Sequence, residues 1–171
     1  MRKVALSNSN MVLLFRVTVD VLNSPMMHFS KHNKKLISKD KVIWREIAML
    51  GSHSLYKLAR TIVDSFGLDF DHCFGFYRPA NIKFLSEAKE MYEFFTDIDE
   101  DPNPVARPVK PTKISSVFLK VGEDALFYFD YGDSWHFNVC LQEFLPVTSY
   151  RKYPQIVQKF SGDLEQYPVF D

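Results

Sequence analysis

Cysteine is scarce in this chain of 171 residues, which contains only Cys73 and Cys140. Two cysteines are too few for the disulfide framework that holds many small secreted domains together, and they lack the close spacing of a zinc ribbon. The sequence therefore excludes a disulfide scaffold and is consistent with a reducing compartment. We accordingly expect a cytoplasmic protein.

The chain also lacks an excess of charge and a long apolar run. Lysine plus arginine and aspartate plus glutamate both number 21, so the formal net charge is zero. A neutral chain has no overall field to attract nucleic acid or an anionic membrane, and such binding would need a local patch. The polar residues 7–10 interrupt the apolar start before it reaches the length of a signal peptide. We therefore expect neither an export signal nor a membrane span.

Aromatic side chains, in contrast, are abundant: the sequence has 16 phenylalanines, 8 tyrosines and 2 tryptophans. Hydrophobic residues make up 46% of the chain and charged residues 25%, which is typical of a globular domain with a core of large rings. A chain of this length can bury about 70% of its unfolded surface in one core. We therefore expect a single domain over residues 1–171.

Hydrophobic periodicity predicts an α+β fold. Apolar and polar residues alternate over 15–21, which indicates a strand with one buried face, and the apolar run 42–50 predicts a second strand paired with it. Apolar residues at helical spacing over 54–66 predict the main helix, with Ser54 as its N-cap and Gly67 after its end. Alternation returns over 70–76 and predicts a third strand.

Beyond the third strand the pattern is less regular. Residues 86–95 have the spacing of a shorter helix that continues into an acidic stretch, and residues 102–111 form a proline-rich surface loop. One or two helical turns are predicted over 114–121. Together these patterns predict a mixed or antiparallel sheet of about five strands, packed against one main helix plus shorter helices.

The segment 127–141 predicts a hairpin whose aromatic residues share one face. This requires a loop with an odd number of residues, most simply Gly132-Asp133-Ser134. The pairs expected in that register are Tyr131 with Trp135, Phe129 with Phe137, and Phe127 with Val139. On the other face, Asp130 then lies opposite His136 with about 5 Å between the Cβ atoms. A charge-assisted hydrogen bond at that distance would raise the affinity of the histidine for its proton.

Three segments resemble one known family. Residues 129–135 (FDYGDSW) resemble the YDFGDxW signature of the plasmid pRiA4b ORF-3-like family, and residues 43–47 (IWREI) are similar to its IWRRI strand. The helix at 54–66, with Gly67 and Asp71-His72 after it, resembles the family's TLxxLHxxIQxxFGW and DxHL block. The resemblance spans most of the chain. It implies an α+β fold and a protein often encoded on plasmids and insertion elements, with no established activity.

The chain departs from the family pattern at four positions. Glu46 stands where the family has its second arginine, and three family histidines are replaced by Ala59, Phe74 and Phe137. His72 is retained, while His136 lies one position away from the family's histidine. These replacements weaken any chemistry that depends on histidine.

Carboxylates and imidazoles that could act together in a metal or hydrolytic site are few. The candidates are Asp130, Asp133, His136, Asp71 and His72. Such groups suit divalent metals, but their spacing matches no specific metal motif, so we assign no metal ligand and no cofactor. In the alternative interpretation Asp133 shapes the turn and Asp130 braces the loop. His72 is in phase with the apolar residues of the third strand, which predicts a core histidine.

Two further polar pairs give weaker signals. Cys73 beside His72 suggests a thiol nucleophile, but neighbouring strand residues point to opposite faces, so an ordinary packed thiol is favoured. His28 and His32 are four residues apart without a helical pattern that would make them a zinc pair.

A basic segment precedes and enters the second strand. Its members are Lys31, Lys34, Lys35, Lys39, Lys41 and Arg45. A second group consists of Arg107, Lys110 and Lys113. If the fold brings the two groups together they could contact phosphates, with Trp44 or Tyr56 as a stacking surface. The alternative is a solvated loop in a neutral protein.

Two functional hypotheses follow. The first is a non-enzymatic binding or interaction module whose partner is a nucleic acid or another protein. The acidic stretch 87–101 would repel nucleic acid and could dock a basic protein. The second is a metal-dependent hydrolase or nuclease that uses the face of Asp130 and His136.

Overall fold

The computed structural model describes residues 8–169, which form one sheet of seven strands with helices packed against it. The strands are β1 (Met11–Val19), β2 (Trp44–Leu50), β3 (Phe74–Arg78), β4 (Glu90–Glu93), β5 (Asp124–Phe129), β6 (Trp135–Pro146) and β7 (Gln155–Phe160). They lie in the order β4-β3-β5-β6-β1-β2-β7, and each neighbouring pair is antiparallel. The predicted α+β class and antiparallel pairing are confirmed, but the sheet is larger than predicted.

The described part of the chain contains four α-helices. They are α1 (Lys31–Asp40), α2 (Leu55–Ser65), α3 (Phe94–Ile98) and α4 (Ile114–Val117). Helix α2 is the predicted main helix, and Ser54 caps it by accepting a hydrogen bond from the Lys57 amide at 3.1 Å. Gly67, which follows the helix, has a φ of +77°. No helix within residues 8–169 is long and apolar enough to cross a membrane.

The core lies between α2 and one face of the sheet. Leu58 and Ile62 of α2 belong to the same buried cluster as Phe127 and Phe137 of the central strands. Phe66 ends the helix, and the centre of its ring lies 5.0 Å from that of Phe137. Burying one such side chain contributes about 1.5–3 kcal/mol. The aromatic composition therefore serves the core, as predicted.

Strand β4 replaces the helix predicted over 86–95. A 3-10 helix covers Leu85–Glu87, and β4 then pairs with β3 through Tyr92 opposite Phe76 and Met91 opposite Tyr77. Tyr92 is 2% exposed. The ladder with β3 overrides the helical spacing because a strand here satisfies the sheet edge and buries Tyr92.

The proline-rich loop covers the outer edge of β4. Arg107 donates its amide to the Met91 carbonyl at 2.9 Å, and its own carbonyl accepts from the Glu93 amide at 2.9 Å. Val109 is fully buried. The loop therefore protects an edge strand from further pairing, although most of its residues are exposed.

Residues 1–7 and 170–171 lie outside the described residues. They include part of the predicted single domain 1–171 and the residues at the start for which no export signal is expected.

Candidate functional site

The hairpin between β5 and β6 has a longer loop than predicted. Phe129 lies opposite Trp135, Phe127 opposite Phe137, and Tyr128 opposite His136. The loop consists of the five residues 130–134. Because this number is odd, the predicted aromatic residues of both strands still share one face, but Tyr131 lies in the loop and not on that face. The predicted opposition of Asp130 and His136 is wrong, because Asp130 has left the strand.

Asp130 shapes the loop. Its φ is +58°, and its carboxylate Oδ1 accepts hydrogen bonds from the amides of Gly132 at 3.0 Å and Asp133 at 3.1 Å. Its carbonyl accepts from the Ser134 amide at 2.6 Å. This self-closing turn explains why the aspartate ends the strand.

Four of the five predicted site residues nevertheless meet. His72 Nδ1 lies 2.7 Å from Asp71 Oδ1 and 3.5 Å from Asp130 Oδ2. The hydrogen bond to Asp71 raises the pKa of His72, and the charges of Asp130 and Asp133 act in the same direction. The fifth residue, His136, lies apart from this group, among Asp20 and Tyr128.

His72 is not the core histidine that the sequence predicts. Its side chain is 42% exposed. The prediction assumed strand alternation from residue 70, but β3 begins only at Phe74, so residues 70–73 do not keep that phase.

A C-terminal segment, residues 161–167, completes the group around His72, and sequence reasoning did not find it. Tyr167 Oη donates to Asp71 Oδ2 at 2.6 Å, and Gln166 Oε1 accepts from the Asp69 amide at 2.6 Å. Burial acts to raise the pKa of Asp71, but the hydrogen bonds from Tyr167 and His72 outweigh it and lower that pKa. We define Asp71, His72, Asp130, Asp133, Gln166 and Tyr167 as the His72 cluster. No pattern in residues 161–167 indicates that they return to this place.

The His72 cluster can hold a proton on one imidazole between carboxylates. Within residues 8–169, no three His, Cys, Asp or Glu side chains are placed to hold one metal ion. The contacts of the cluster join the segment before β3, the hairpin loop and the C-terminal segment.

Cys73, His28 and His32 each have ordinary surroundings, and His32 lies in α1, where the sequence showed no helical pattern. Burial raises the pKa of the Cys73 thiol, and a higher pKa leaves less of the nucleophilic thiolate. His28 Nε2 lies 3.0 Å from the Val21 carbonyl, and His32 Nε2 lies 2.8 Å from the Asp163 carbonyl. The two histidines thus bond to separate backbone groups.

The basic segment is a helix and not a loop. Lys31, Lys34, Lys35 and Lys39 are exposed on one side of α1, and the exposed Lys41 follows the helix. We call these residues the lysine face. The opposite side of α1 carries Asn33, which is buried, with Leu36 and Ile37 partly buried against the core.

Arg45 does not belong to the lysine face, which corrects its prediction as a phosphate ligand. Its side chain is fully buried. The guanidinium donates to the Ser65 carbonyl at 2.8 Å and to the Gly162 carbonyl at 3.0 Å. Alternation along β2 turns it inward to the end of α2.

The second basic group lies by β4 and α3. Lys110 Nζ is 5.4 Å from the centre of the Phe94 ring, and the Arg107 guanidinium is 5.9 Å from the centre of the Tyr92 ring. Helix α1 instead bonds to Asp163 and Glu165, which follow β7. Since β4 and β7 are the two outermost strands, the fold separates the two basic groups.

The rings of Trp44 and Tyr56, the two predicted stacking surfaces, already contact other side chains. Trp44 stacks on Phe160 with 5.6 Å between ring centres, and the Arg16 guanidinium lies 4.1 Å from the centre of the Trp44 ring. Tyr56 packs among Phe70 and its aromatic neighbours, with 5.5 Å between those two ring centres.

Comparisons with known protein families and solved structures bear on the family and the fold. A family model described as plasmid pRiA4b ORF-3-like protein matches residues 33–162. The fold is similar to the crystal structure of a protein of unknown function from Methanosarcina mazei Go1, with a TM-score of 0.61 and 16% identity over 87% of this chain and 68% of that chain. No curated protein matches the chain. The match covers β2 through β7, and the chain therefore belongs to the plasmid pRiA4b ORF-3-like family.

Proposed function

We propose that this protein is a non-enzymatic binding module that contacts nucleic acid through the lysine face of α1. The observation that carries the proposal is the concentration of exposed lysines on one side of a single helix, in a chain whose net charge is zero. Lysines that neutralise phosphates release bound counterions, which supplies affinity without reading sequence.

The spacing of the lysine face suits a row of phosphates. Four residues advance about 6 Å along a helix, so Lys31, Lys35 and Lys39 form a row about 12 Å long. The only acidic residue of α1 is Asp40, which is half-buried. The ammonium groups of Lys34, Lys35 and Lys39 can therefore act together on a polyanion.

Helix α1 presents these lysines from a fixed position. Ser30 caps the helix by accepting from the Asn33 amide at 3.1 Å. The Asn33 side chain donates to the Glu165 carbonyl at 2.9 Å and accepts from the Glu165 amide at 2.8 Å. Because the helix is already ordered, binding does not cost the free energy of folding it.

Within residues 8–169, the two acidic residues that bond to α1 have side-chain partners of their own. The Asp163 carboxylate forms an ion pair with Arg45, and the Glu165 carboxylate accepts a hydrogen bond from the Ser30 hydroxyl. The acidic stretch 87–101 contains β4, which lies at the opposite edge of the sheet from β7. Six strand spacings of about 4.8 Å separate these two strands, which is about 29 Å along the sheet. That distance exceeds the Debye length of about 10 Å at 0.1 M salt.

Salt-dependent binding to DNA tests the proposal. Fluorescence anisotropy would measure the affinity of the protein for a short labelled DNA duplex and for a labelled single strand. The wild type would be compared with the variant Lys34→Gln/Lys35→Gln/Lys39→Gln. A matched control is Lys110→Gln/Lys113→Gln/Lys120→Gln, which removes the same charge elsewhere. We expect the first variant to reduce the slope of log K against log salt by about three on duplex DNA, and the control to leave it nearly unchanged.

Three outcomes would overturn the proposal: no binding by the wild type at low salt, an affinity that does not fall with salt, or equal losses in both variants. Circular dichroism and thermal unfolding would verify that each variant is folded. The substituted lysines of both variants are exposed, so we expect both variants to fold normally.

A further inference from the structure

A pocket of about 300 Å³ opens on the face of the sheet that α2 does not cover. Three separate segments form its walls: the turn after β1, the hairpin β5–β6, and residues 80–85. The lining residues are Asp20, Asn23, Ala80, Ile82, Lys83, Leu85, Leu126, Tyr128 and His136. Tyr128 and His136 alternate with the core residues Phe127 and Phe137, which is why they face this side.

The pocket combines an apolar wall with a few polar groups, as ligand sites commonly do. Ile82, Leu85 and Leu126 supply apolar surface. Asp20 and Lys83 bring one charge of each sign. The pocket is therefore neutral overall but locally polar.

His136 is held in place and has an unused nitrogen. Its amide donates to Ser24 Oγ at 2.9 Å, and its carbonyl accepts from the Asp20 amide at 2.9 Å. The ring centre lies 4.3 Å from that of Tyr128. Nε2 is buried and makes no hydrogen bond to the protein. An unpaired buried nitrogen costs free energy that a bound ligand could recover.

The protonation state of His136 suits a neutral hydrogen-bonding role. Burial lowers the pKa of His136, although the Asp20 carboxylate acts in the opposite direction. The ring is therefore uncharged near pH 7, and one of its nitrogens carries a proton to donate.

The two charged groups of the pocket keep free hydrogen-bonding capacity. Asp20 accepts from the Asn23 amide at 3.2 Å and from Asn23 Nδ2 at 2.7 Å, which uses one lone pair on each oxygen. Lys83 Nζ lies 5.3 Å from the centre of the Phe84 ring, and no ion pair joins it to another residue in the range 8–169. A carboxylate and an ammonium thus border one small space.

We propose that this pocket binds a small zwitterion of the α-amino-acid class with an apolar side chain. The ligand ammonium pairs with Asp20, its carboxylate accepts from Lys83 and from His136 Nε2, and its side chain packs on the wall of Ile82, Leu85 and Leu126. The site is distinct from the lysine face, and the inference does not depend on nucleic-acid binding.

Calorimetry and thermal unfolding with free leucine, isoleucine, methionine and phenylalanine test this inference. We expect at least one of these amino acids to bind the wild-type protein saturably and to raise its Tm with concentration. N-acetyl-leucine lacks the ammonium and leucine methyl ester lacks the carboxylate, so both should bind roughly tenfold more weakly or worse.

Two variants that each remove one charge assign the contacts. Asp20→Asn and Lys83→Gln should each weaken binding of the free amino acid roughly tenfold or more, since each removes a charged hydrogen bond. Lys89→Gln, outside the pocket, should leave the affinity unchanged. The inference is wrong if no amino acid protects the wild type at millimolar concentration, if the blocked derivatives bind equally well, or if Asp20→Asn retains full affinity.

Discussion

Arg45 and Asp163 form an ion pair at 3.2 Å that joins β2 to the segment after β7. The arginine is fully buried, whereas the side chain of Asp163 is 58% exposed. Most of the arginine's other bonds go to backbone carbonyls, including those of Ser65 and Phe160. Burial lowers the pKa of Arg45, although the Asp163 carboxylate acts to raise it.

We predict that Arg45→Met strongly destabilises the fold. Methionine replaces the apolar stem of arginine but has no donor, so the carbonyl groups of Ser65 and Gly162 would lose their hydrogen bonds from Arg45. Each buried carbonyl left without a donor costs about 1–3 kcal/mol, so the expected loss in the free energy of unfolding, measured by urea denaturation, is about 2–6 kcal/mol for the two. Asp163→Asn is the control and should cost about 1 kcal/mol or less, because Asp163 is largely solvated. Similar losses in the two variants would contradict this ranking.

We predict that Gly75 in β3 cannot be replaced by alanine without loss. An added Cβ would lie 2.7 Å from Tyr131 Oη and 2.9 Å from the Tyr77 ring. It would disturb the hydrogen bond of 2.7 Å between the two tyrosine hydroxyls. Gly75→Ala should lower the free energy of unfolding by about 1–3 kcal/mol.

A double-mutant cycle isolates the cause of the Gly75 effect. Tyr131→Phe removes the hydroxyl that the new Cβ would meet, so Gly75→Ala should cost less in that background than in the wild type. Equal costs in the two backgrounds would show that Tyr131 is not the obstacle.

We predict that His72 makes stability depend on pH from its ordinary pKa of 6.5 upward through its raised pKa in the folded protein. Its pKa in the folded protein is raised above the ordinary value of 6.5, mainly by the hydrogen bond to Asp71. The folded state therefore binds the proton more tightly, and this contribution is complete below pH 6.5 and is lost as the pH rises through the raised pKa. The stability difference between wild type and His72→Gln should shrink over that interval.

Proton NMR titration checks the same prediction directly. The His72 ring should titrate above 6.5 in the wild type, and Asp71→Asn should lower its pKa. A wild-type value at or below 6.5 would show that the His72 cluster does not stabilise the imidazolium.

The hairpin shows how far local pattern reaches. The alternation of aromatic residues predicts a loop with an odd number of residues, and the observed loop, residues 130–134, has five. The length of the loop depends on Asp130, whose carboxylate binds two amides within the loop. A period of two cannot distinguish three residues from five, and so the predicted pairing of Asp130 with His136 failed.

Helix α1 and strand β7 have weak hydrophobic patterns, and this is the physical reason that the sequence did not predict them. Helix α1 has only Leu36 and Ile37 as apolar residues and depends on Ser30 and Asn33 for its position. Strand β7 is mostly exposed and has no alternation to detect. Both elements are specified by partners that lie far away in the sequence.

Three short motifs indicated the family, and the local spacing of apolar residues predicted the α+β class, the capped helix α2 and the aromatic face of the hairpin. Each of these depends on spacing over a few residues, which any local segment carries. The burial of Arg45, the contact of His72 with Tyr167, and the pocket that His136 lines with Asp20 instead depend on how distant segments pack together. These contacts join residues separated by about a hundred positions, and they depend on strand order and burial, which local periodicity does not encode.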